Sequence, residues 1–553
     1  MAWTSEEGMR RGTLSLLLAA LCVLYFGFLG TIPLLDPDEG RYAEIPREML
    51  ASGDFVTPHL NGVVYLEKPP LFYWGTALGL AVFGEGEVGA RVFGAAASVL
   101  GVVLTFWMGV ELAGPRTGLY AAAILATSFY YYIVGRLNTI DMTLGVLLVV
   151  AIFPAYLYLS GKRAERRYLY LAYAGAALAF LAKGLIGVVF PAAILLLWAI
   201  LAKRLREAPR LLSWVGIAIF LALALPWVVL VQRANPDFFQ FFFVREHLLR
   251  YTTTTHGRYQ PFWFFLPIVP AGFLLWLPFV RKAYLAARRN AAVFFAREDR
   301  IFLLTWVGFV VLFFSASDSK LITYMTPVYP PLALLLGRGL ALWAAEEKGG
   351  APFRVPLFVA LALGAALLFA PLLAKELIRE AVGGEGWLLS AGPALLALLA
   401  WGLVPLWMKR LGANRVVLLS AALLALFWMS INPPAAALIG ATRSGKSLAA
   451  EINARLRPGD IVAQNGVYIQ TIPFYTKQRT VVVGDPDDLQ FGLRRAPDRA
   501  EYFPDEAAFL RLWNSDRRVF CLFNRGEMDT IRERYPNHRL LSRSRRGILI
   551  VNH

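Results

Sequence analysis

Cysteine and histidine are scarce in this chain of 553 residues. It contains two cysteines, Cys22 in the first apolar run and Cys521 near the C-terminus, and five histidines. Two cysteines so far apart exclude a disulfide framework and a thiolate metal centre. His247 and His256 lie nine positions apart without an evident third ligand. A two-histidine metal site is therefore a weak alternative for that segment.

Charged residues are also few, at 17% of the chain, whereas 58% of the residues are hydrophobic and the mean hydropathy is +0.54. Soluble domains are usually less than about half apolar. Apolar runs of about twenty residues recur along most of the chain, and each is long enough to cross a bilayer as a helix. The sequence therefore predicts a polytopic α-helical membrane protein, without internal repeats or low-complexity tracts.

The formal net charge of +17 raises the question of a nucleic-acid partner. The excess of Lys and Arg is concentrated in short loops between apolar runs, at 162–167, 203–210, 281–300 and 409–415. This distribution is the one that the positive-inside rule describes for cytoplasmic loops. No basic stripe with interleaved aromatic residues lies outside the apolar runs, so we expect no nucleic-acid partner.

Apolar length predicts about thirteen membrane spans. They are placed near 12–34, 88–110, 117–135, 139–159, 168–183, 185–202, 211–232, 261–280, 300–316, 321–341, 355–375, 386–407 and 415–433. The stretch 168–202 is either one long span or two, and Lys183 followed by Gly184 favours two. Arg10 and Arg11 precede a first run without a small-residue cleavage site, which predicts a retained signal anchor.

The chain changes character near residue 440. The segment SLAAEINARLRPGDIVAQNG predicts a helix, a turn and a strand, and RTVVVGD, RRVFCLF and RGILIVN predict further strands. We therefore expect a membrane domain over 1–439 and a soluble α/β domain over 440–553. With about thirteen spans and a cytoplasmic N-terminus, the loop 35–87 and the C-terminal domain face outward.

The first outward loop begins with DPDEGRYAEIPREML. Apolar residues recur on one face of this segment, which predicts a short amphipathic helix at the membrane surface. Glu39 and Glu44 are interpreted as a polar stop after the first span. Asp38 and Arg41, one helical turn apart, are less well explained in this way. Asp38 is a candidate N-cap and, independently, a candidate functional carboxylate.

Two further charged positions lie on the same predicted side. Lys68 stands between Glu67 and two prolines, and a lysine on such stiff backbone suits a compact anion such as phosphate. The alternative is a lysine that reaches lipid headgroups. Asp141 lies at the lip of an apolar span, where a charge is costly and indicates function. The alternative is an ion pair with Arg136 that closes the loop.

A basic outward segment, VREHLLRYTTTTHGRYQPFW, breaks the positive-inside trend. We expect it to meet an anion, with His247 among the candidate contacts. Farther on, Lys320 and Tyr324 lie one turn apart at the outer end of a span, where either side chain can line a cavity. Simple packing is the alternative for Tyr324.

The segment GATRSGKS at 440–447 fits the phosphate-loop pattern of nucleotide-binding proteins. That motif requires a preceding strand and ATP on the same side of the membrane. Here it follows an apolar run broken by NPP, on the predicted outer side. We therefore expect no ATP partner, and an ordinary helix that begins near Lys446 and Ser447.

Several long motifs together resemble one family. These are DPDEGRYAEIPREMLASGDFVTPHLNGVVYLEKPPLFYW, RLNTID, LAKGLIG, REHLLRY, KLITYMTPVYPPLALLLG and QTIPFYT. They resemble the bacterial aminoarabinose transferases, which are C-type glycosyltransferases related to protein O-mannosyltransferases, over nearly the whole chain. The resemblance implies transfer of 4-amino-4-deoxy-L-arabinose from undecaprenyl phosphate to lipid A phosphates at the periplasmic face of the inner membrane. It implies no nucleotide cofactor and leaves a divalent metal open.

The resemblance also implies roles for individual residues. Asp38 and Asp141 match the catalytic carboxylates, and Arg41 and Lys68 match the residues that bind the carrier phosphate. Tyr65 and Glu67 match neighbouring site residues of the family. Apart from the resemblance, we also expect Lys183, His247, Lys320 and Tyr324 to bind substrate. Asp38 would stabilise positive charge on the sugar or orient the acceptor, and would act as a base only toward a hydroxyl acceptor. Gly40, where many relatives have Ala, is expected to loosen the helix start slightly without affecting an essential feature.

Three other functions remain as alternatives. The same fold can transfer another lipid-linked sugar, such as mannose, to protein or to a surface glycan. A transporter or lipid flippase would require repeated halves with paired broken helices, which the sequence lacks. A membrane-anchored ATPase depends on the side of the membrane on which residue 445 lies.

Overall fold

The computed structural model describes residues 11–243, 260–346, 352–373, 386–484 and 489–553. Helices form most of the part before residue 444. They are α1 (Arg11–Phe26), α2 (Asp38–Ser52), α3 (Leu71–Phe83), α4 (Glu87–Ala113), α5 (Pro115–Thr127), α6 (Phe129–Val134), α7 (Ile140–Leu159), α8 (Arg166–Lys183), α9 (Ile186–Leu201), α10 (Trp214–Ala234), α11 (Phe265–Ala271), α12 (Leu277–Arg289), α13 (Arg297–Ala316), α14 (Tyr329–Glu346), α15 (Val355–Leu373), α16 (Gly386–Leu403), α17 (Met408–Ser430) and α18 (Asn432–Arg443).

Short elements connect several of these helices. Five 3₁₀ helices are described, at Leu205–Leu211, Phe262–Phe264, Leu274–Trp276, Ile322–Val328 and Val404–Trp407. A hairpin of β1 (His59–Leu60) and β2 (Val63–Val64) lies in the first loop. Its turn residues Asn61 and Gly62 both have positive φ, as the tight hairpin turn requires.

The predicted polytopic helical architecture is present. Within the described ranges, six helical stretches are long and apolar enough to cross a membrane, and a bent pair raises this to seven. The bent pair covers the predicted span 261–280, which turns by 59° between Phe262–Ala271 and Leu274–Arg289. Four shorter apolar helices include α9 and the helix Leu71–Phe83, which lies inside the predicted loop 35–87. The count of thirteen spans remains a prediction.

Breaks in the helices follow the local sequence. Lys183 ends α8, and Gly184 has a φ of +75°, so the chain turns there and begins α9 two residues later. The prediction of two helices over 168–202 is therefore correct. The predicted span 117–135 is instead divided at Ser128, whose extended backbone separates α5 from α6.

The basic loops lie at one end of the helix bundle. Helix α7 starts beside Asp141 and ends at Leu159, and α8 returns from Arg166 to Lys183. At the end away from Asp141 and Lys183, ion pairs join loop residues to the ends of α4 and α13: Lys162–Asp299 at 3.2 Å, Arg163–Glu111 at 2.7 Å and Arg204–Glu298 at 2.8 Å. The first loop and the turn after α8 lie at the opposite end.

Residues 446–553, here called the C-terminal region, form helices around a sheet. The elements are α19 (Lys446–Asn453), β3 (Ile461–Asn465), α20 (Thr471–Thr476), β4 (Val481–Val483), α21 (Gln490–Leu493), α22 (Arg499–Tyr502), α23 (Glu506–Trp513), β5 (Val519–Phe523), α24 (Met528–Arg534), β6 (Arg539–Arg543) and β7 (Ile548–Val551). The strand order is β4-β3-β5-β7-β6, with β3 parallel to β4 and β5, and β7 antiparallel to its neighbours. The strands expected in RTVVVGD, RRVFCLF and RGILIVN are confirmed.

Both faces of this sheet are covered. Along β5, Cys521 and Phe523 pack into a core with α23, while Phe520 and Leu522 pack into a core with α19 and α20. Burial on both faces explains why these strands are continuous apolar runs in the sequence. The expected helix at Lys446 is also present, and the element directly before it is the helix α18, which ends at Arg443, instead of the strand that a phosphate loop requires.

Helix α2 differs from the predicted surface helix because most of it is buried. It packs against α3 on one side and against α20 on the other. Gly40 allows the second contact, since a Cβ at this position would lie 2.7 Å from the Thr471 nitrogen. Gly40 therefore has a packing role in addition to the expected loosening of the helix start. Asp38 is the first helical residue, and no side-chain capping hydrogen bond is present at this helix start.

Candidate active site

A cavity of about 280 Å³ lies where the first loop meets the ends of α7, α8 and α13. Its charged lining residues are Asp38, Arg41, Glu67, Lys68, Asp141 and Lys183. Its apolar lining consists mainly of Leu185, Ile186, Val189, Phe190, Phe313 and Phe314. The cavity thus joins a strongly charged end to an apolar groove formed by α9 and α13.

Asp38 and Arg41 enter this cavity from the first turn of α2. Their spacing of three residues places both side chains on one face of the helix. Among the described residues, the Asp38 carboxylate has neither an ion pair nor a side-chain hydrogen bond. The Arg41 side chain is only 4% exposed. A carboxylate and a buried guanidinium therefore share one wall of the cavity.

Tyr65 lies behind Arg41 and is not among the cavity-lining residues. Arg41 Nη1 donates to Tyr65 Oη at 3.2 Å, and Arg41 Nε donates to Gln470 Oε1 at 2.9 Å. Burial raises the pKa of Tyr65 well above its ordinary value, so the phenol remains a neutral acceptor. Tyr65 therefore orients Arg41 and does not line the described cavity itself.

Lys68 and Glu67 form the next part of the wall. Lys68 Nζ donates to the Glu67 carbonyl at 3.0 Å and lies 4.0 Å from the Glu67 carboxylate. Pro69 disfavours helical backbone at Lys68, and Pro70 precedes the first residue of α3. The rigid segment therefore presents an ammonium and a carboxylate side by side to the cavity.

Asp141 and Lys183 form a hydrogen-bonded ion pair across the cavity wall. Asp141 lies in the first turn of α7 and Lys183 ends α8. The Lys183 Nζ lies 4.6 Å from the centre of the Tyr324 ring, a cation–π contact. Tyr324 also lines the cavity. The expected alternative, a pair between Asp141 and Arg136, is absent because Arg136 donates to backbone carbonyls of α1.

Two predicted site residues are placed differently. Lys320 is 4% exposed and does not line the cavity. Its Nζ donates to the Gln260 carbonyl at 2.8 Å and to the Ser317 carbonyl, so it closes the turn after α13. His247 lies outside the described residues, as does the rest of the basic segment 244–259.

Glu39 has a structural role that its sequence position did not indicate. Glu39 is buried, with 2% of its surface exposed, and it forms an ion pair with Arg91 of α4 through two hydrogen bonds of 2.7 Å. It also accepts the Asn138 N–H at 2.7 Å. The interpretation of Glu39 as a polar stop is therefore wrong. Glu39 instead binds the start of α2 to the helix bundle through Arg91 and Asn138.

Two cavity hydroxyls were also missed by the sequence analysis. Thr139 and Ser319 are 7% and 8% exposed and line the cavity. Neither hydroxyl has a hydrogen-bond partner within the described part of the chain. Their sequence signal was weak, because isolated Thr and Ser residues are common near helix ends. Both hydroxyls are available to a polar ligand.

The described residues contain no cluster of three or more His, Cys, Asp or Glu side chains arranged to hold a metal ion. The carboxylates of the charged end are accompanied instead by Arg41, Lys68 and Lys183. Three cations of this kind suit an anionic group such as a phosphate, for which they supply charge-assisted hydrogen bonds.

Comparison with known proteins places this arrangement in a class. Residues 67–230 match the family model for dolichyl-phosphate-mannose-protein mannosyltransferase, and residues 448–552 match the aminoarabinose transferase C-terminal domain. The crystal structure of ArnT from Cupriavidus metallidurans bound to undecaprenyl phosphate superposes with a TM-score of 0.81, at 28% identity and with 98% of each chain covered. The archaeal oligosaccharyltransferase AglB of Archaeoglobus fulgidus shares the fold at 12% identity, with a TM-score of 0.51.

Curated relatives extend the comparison to the sequence. An undecaprenyl phosphate-alpha-4-amino-4-deoxy-L-arabinose arabinosyl transferase of Pseudomonas fluorescens is 32% identical over 402 residues, which cover 72% of this chain and 67% of the relative. The corresponding protein of Yersinia enterocolitica is 32% identical over 407 residues, covering 70% of this chain and 71% of the relative.

The fold and the cavity define a C-type membrane glycosyltransferase, and the predicted fold class and enzyme class are confirmed. Within that class, the chain belongs to the family of the undecaprenyl phosphate-aminoarabinose arabinosyl transferases.

Proposed function

We propose that this chain transfers 4-amino-4-deoxy-L-arabinose from undecaprenyl phosphate to the phosphates of lipid A. The observation that carries the proposal is the single cavity in which Asp38, Arg41, Lys68 and Asp141 meet an apolar groove. An ionic head and a long apolar tail are the two parts of a polyprenyl phosphate. The relatives named for this activity, and the neighbour that binds undecaprenyl phosphate, support the same donor.

The cationic side chains hold the phosphate that departs. Arg41 and Lys68 offset the charge that develops on it as the bond between sugar C1 and the phosphate oxygen breaks. Asp38 stabilises the positive charge that builds on the sugar ring. An oxygen of the acceptor phosphate forms the new bond to C1, and undecaprenyl phosphate leaves. The acceptor oxygen is already anionic, so this step requires no general base.

Two further carboxylates, those of Asp141 and Glu67, are suited to bind the amino group of the sugar. Asp141 and Glu67 line the cavity, and either can accept hydrogen bonds from the 4-ammonium group of the sugar. Binding of the ammonium would compete with Lys183 for Asp141. Selection for an amino sugar over a neutral sugar therefore rests on these two carboxylates.

We further propose that the cavity and the C-terminal region face the periplasm of the inner membrane. The arginine- and lysine-rich loops at the other end of the bundle support cytoplasmic placement of that end. The proposal divides the chain into a membrane glycosyltransferase domain over 1–439 and a periplasmic α/β domain over 440–553. Reporter fusions after residues 60 and 445 should both report the periplasm, and a cytoplasmic signal at either position would contradict this orientation.

The decisive test is the composition of lipid A. The chain is expressed in a host that lacks its own transferase but makes the aminoarabinose donor, and lipid A is examined by mass spectrometry. We expect aminoarabinose on the phosphates with the wild-type chain and not with Asp38→Asn at the same membrane level. Unmodified lipid A in the presence of the wild-type chain would contradict the proposal. Modification of a protein or another glycan instead would identify the alternative acceptor.

A further inference from the structure

Asp38 lies between two contacts with the C-terminal region. Two residues before it, Asp36 contacts Thr471, and three residues after it, Arg41 contacts Gln470. The two partners are adjacent in sequence, where the chain enters α20. The segment 36–41, which carries Asp38 and Arg41, is therefore hydrogen-bonded at both of its ends to the dipeptide Gln470–Thr471.

Asp36 accepts two hydrogen bonds from Thr471. The Thr471 backbone N–H and hydroxyl donate to the two Asp36 carboxylate oxygens, both at 2.8 Å. Arg546 adds an ion pair to the same carboxylate at 3.2 Å. The Thr471 hydroxyl also accepts the Gly445 N–H at 3.0 Å. These bonds fix the dipeptide relative to the start of α2.

The contact of Arg41 reaches the cavity itself. Gln470 Oε1 accepts from Arg41 Nε at 2.9 Å, and the two residues are 1% and 4% exposed. Tyr65 Oη accepts from Nη1 of the same guanidinium. Acceptors on two different nitrogens fix both the position and the plane of the group. Because the pair is buried, water is poorly placed to replace the amide oxygen.

We propose that Gln470 is a positioning residue: it holds the Arg41 guanidinium in the plane in which it meets the phosphate of the lipid donor. The C-terminal region thereby completes the donor-phosphate site, although Gln470 does not line the cavity. This inference rests on the proposed function for the identity of the anion, a polyprenyl phosphate.

The test measures binding of undecaprenyl phosphate to the purified full-length chain in detergent. Gln470→Met keeps the length of the side chain and removes the acceptor. We expect affinity to fall about tenfold, the scale of a hydrogen bond to a charged group. Wild-type affinity in Gln470→Met would overturn the inference.

A double-mutant cycle separates positioning from general damage. If Gln470 acts through Arg41, then Arg41→Ala and Arg41→Ala/Gln470→Met should bind equally, within about twofold. A further tenfold loss in the double variant would overturn the inference, because it would show an effect that does not pass through Arg41.

The matched control is Asn61→Ala. Asn61 also joins the first loop to the C-terminal region, through hydrogen bonds of 2.9 and 2.8 Å with Thr480, but it does not line the cavity. We expect it to lower the unfolding temperature and to leave affinity within about twofold of wild type. A loss as large as that of Gln470→Met would overturn the inference in favour of loosened docking.

A second variant covers the case in which Gln470→Met does not fold. Gln470→Glu retains an acceptor for Arg41 Nε but adds a negative charge that competes with the phosphate. We expect weaker binding than wild type, with the difference largest at low ionic strength. Unchanged affinity would overturn the inference. Absence of binding by the wild-type chain would instead overturn the proposed function, so the two failures are distinguishable.

Discussion

Glu39 and Arg91 form a buried ion pair in which Nε donates to Oε1 and Nη2 donates to Oε2, each at 2.7 Å. Glu39 immediately follows Asp38, and Arg91 lies in α4. Arg91 also donates to the Leu29 carbonyl at 2.8 Å and the Pro33 carbonyl at 3.0 Å. The pair therefore joins the segment after α1, the start of α2 and the helix bundle beside the cavity.

Removing one member of this pair should destabilise the protein strongly. We expect Arg91→Met to lower the free energy of unfolding by about 3–5 kcal/mol, because Glu39 is left buried without its partner. Thermal unfolding of the purified chain in detergent measures the change. Arg204→Met is the control, since its ion pair with Glu298 is partly exposed and such pairs contribute at most about 1 kcal/mol. Equal shifts in the two variants would contradict the prediction.

Asp38 and Lys68 should differ in their effect on the donor KM. We expect Asp38→Asn to lower turnover roughly 10²–10³-fold, because it removes charge stabilisation from the transition state. Lys68→Ala should raise the donor KM about tenfold and also lower turnover, because it removes a contact that holds the donor phosphate and offsets the charge developing on it. Initial rates at varied donor concentration distinguish the two effects.

The control for this pair of variants is Glu85→Gln. Glu85 is on the same loop, half-exposed, and pairs with Lys477 away from the cavity. Its replacement should leave turnover and donor KM within about twofold of wild type. Near-normal kinetics in both Asp38→Asn and Lys68→Ala would refute the assignment of these two residues.

Asp141 and Lys183 should behave as a unit. We expect Asp141→Asn and Lys183→Met each to lower the transfer rate by about tenfold. Because the two side chains are directly bonded, the double variant should be no slower than the slower single variant. Steady-state rates of the four proteins measure this coupling. A double variant slower by the product of both effects would mean that the two residues act independently.

Much of the fold could be predicted because its signals are local. Apolar length located α4, α7, α8 and α9, and apolar runs located the strands of the C-terminal region. The burial of α2 could not be predicted from its own pattern, because its partners are remote: Gln470 lies 429 positions from Arg41. A helix with charges on several faces looks solvated until those partners are known.

The site was predictable in part, from three separate signals. The cost of a charge beside a membrane span indicated Asp141, the stiff backbone before two prolines indicated Lys68, and their position at the start of a helix indicated Asp38 and Arg41. All four residues line one cavity. The prediction fails for Lys320, whose ammonium donates to the backbone carbonyls of Ser317, in its own turn, and of Gln260, in a remote segment. The sequence alone does not distinguish a lysine that donates to backbone carbonyls from a lysine that binds a substrate.

Lys446 should be dispensable for transfer, although it occupies the lysine position of a phosphate-loop pattern. It starts α19 and pairs with Glu87, and its side chain is about half exposed. Pairs of this kind contribute about 0–1 kcal/mol. We expect Lys446→Ala to retain the wild-type transfer rate within about twofold, with or without added ATP. Loss of transfer in this variant, or a rate that depends on ATP, would reopen the nucleotide-binding interpretation.

Glu48 should make stability depend on pH. Burial, together with the negative charge of the neighbouring Glu44, raises the pKa of Glu48 to about 8, whereas the unfolded chain titrates near 4.5. Between these values the folded protein keeps a proton that the unfolded chain has lost. The contribution of this carboxyl is therefore fully present below about pH 4.5 and is lost as the pH rises through about 8.

Glu48→Gln isolates this contribution, because the amide stays neutral at every pH. We expect its unfolding temperature to equal that of the wild type near pH 4.5 and to exceed it increasingly up to about pH 8, with a constant difference above that. Glu451→Gln, on an exposed helix surface where Glu451 pairs with Arg455, should show no such widening. Thermal unfolding in detergent from pH 4.5 to 9 measures both variants. Parallel curves for Glu48→Gln and the wild type would mean that Glu48 is already ionised in the folded protein.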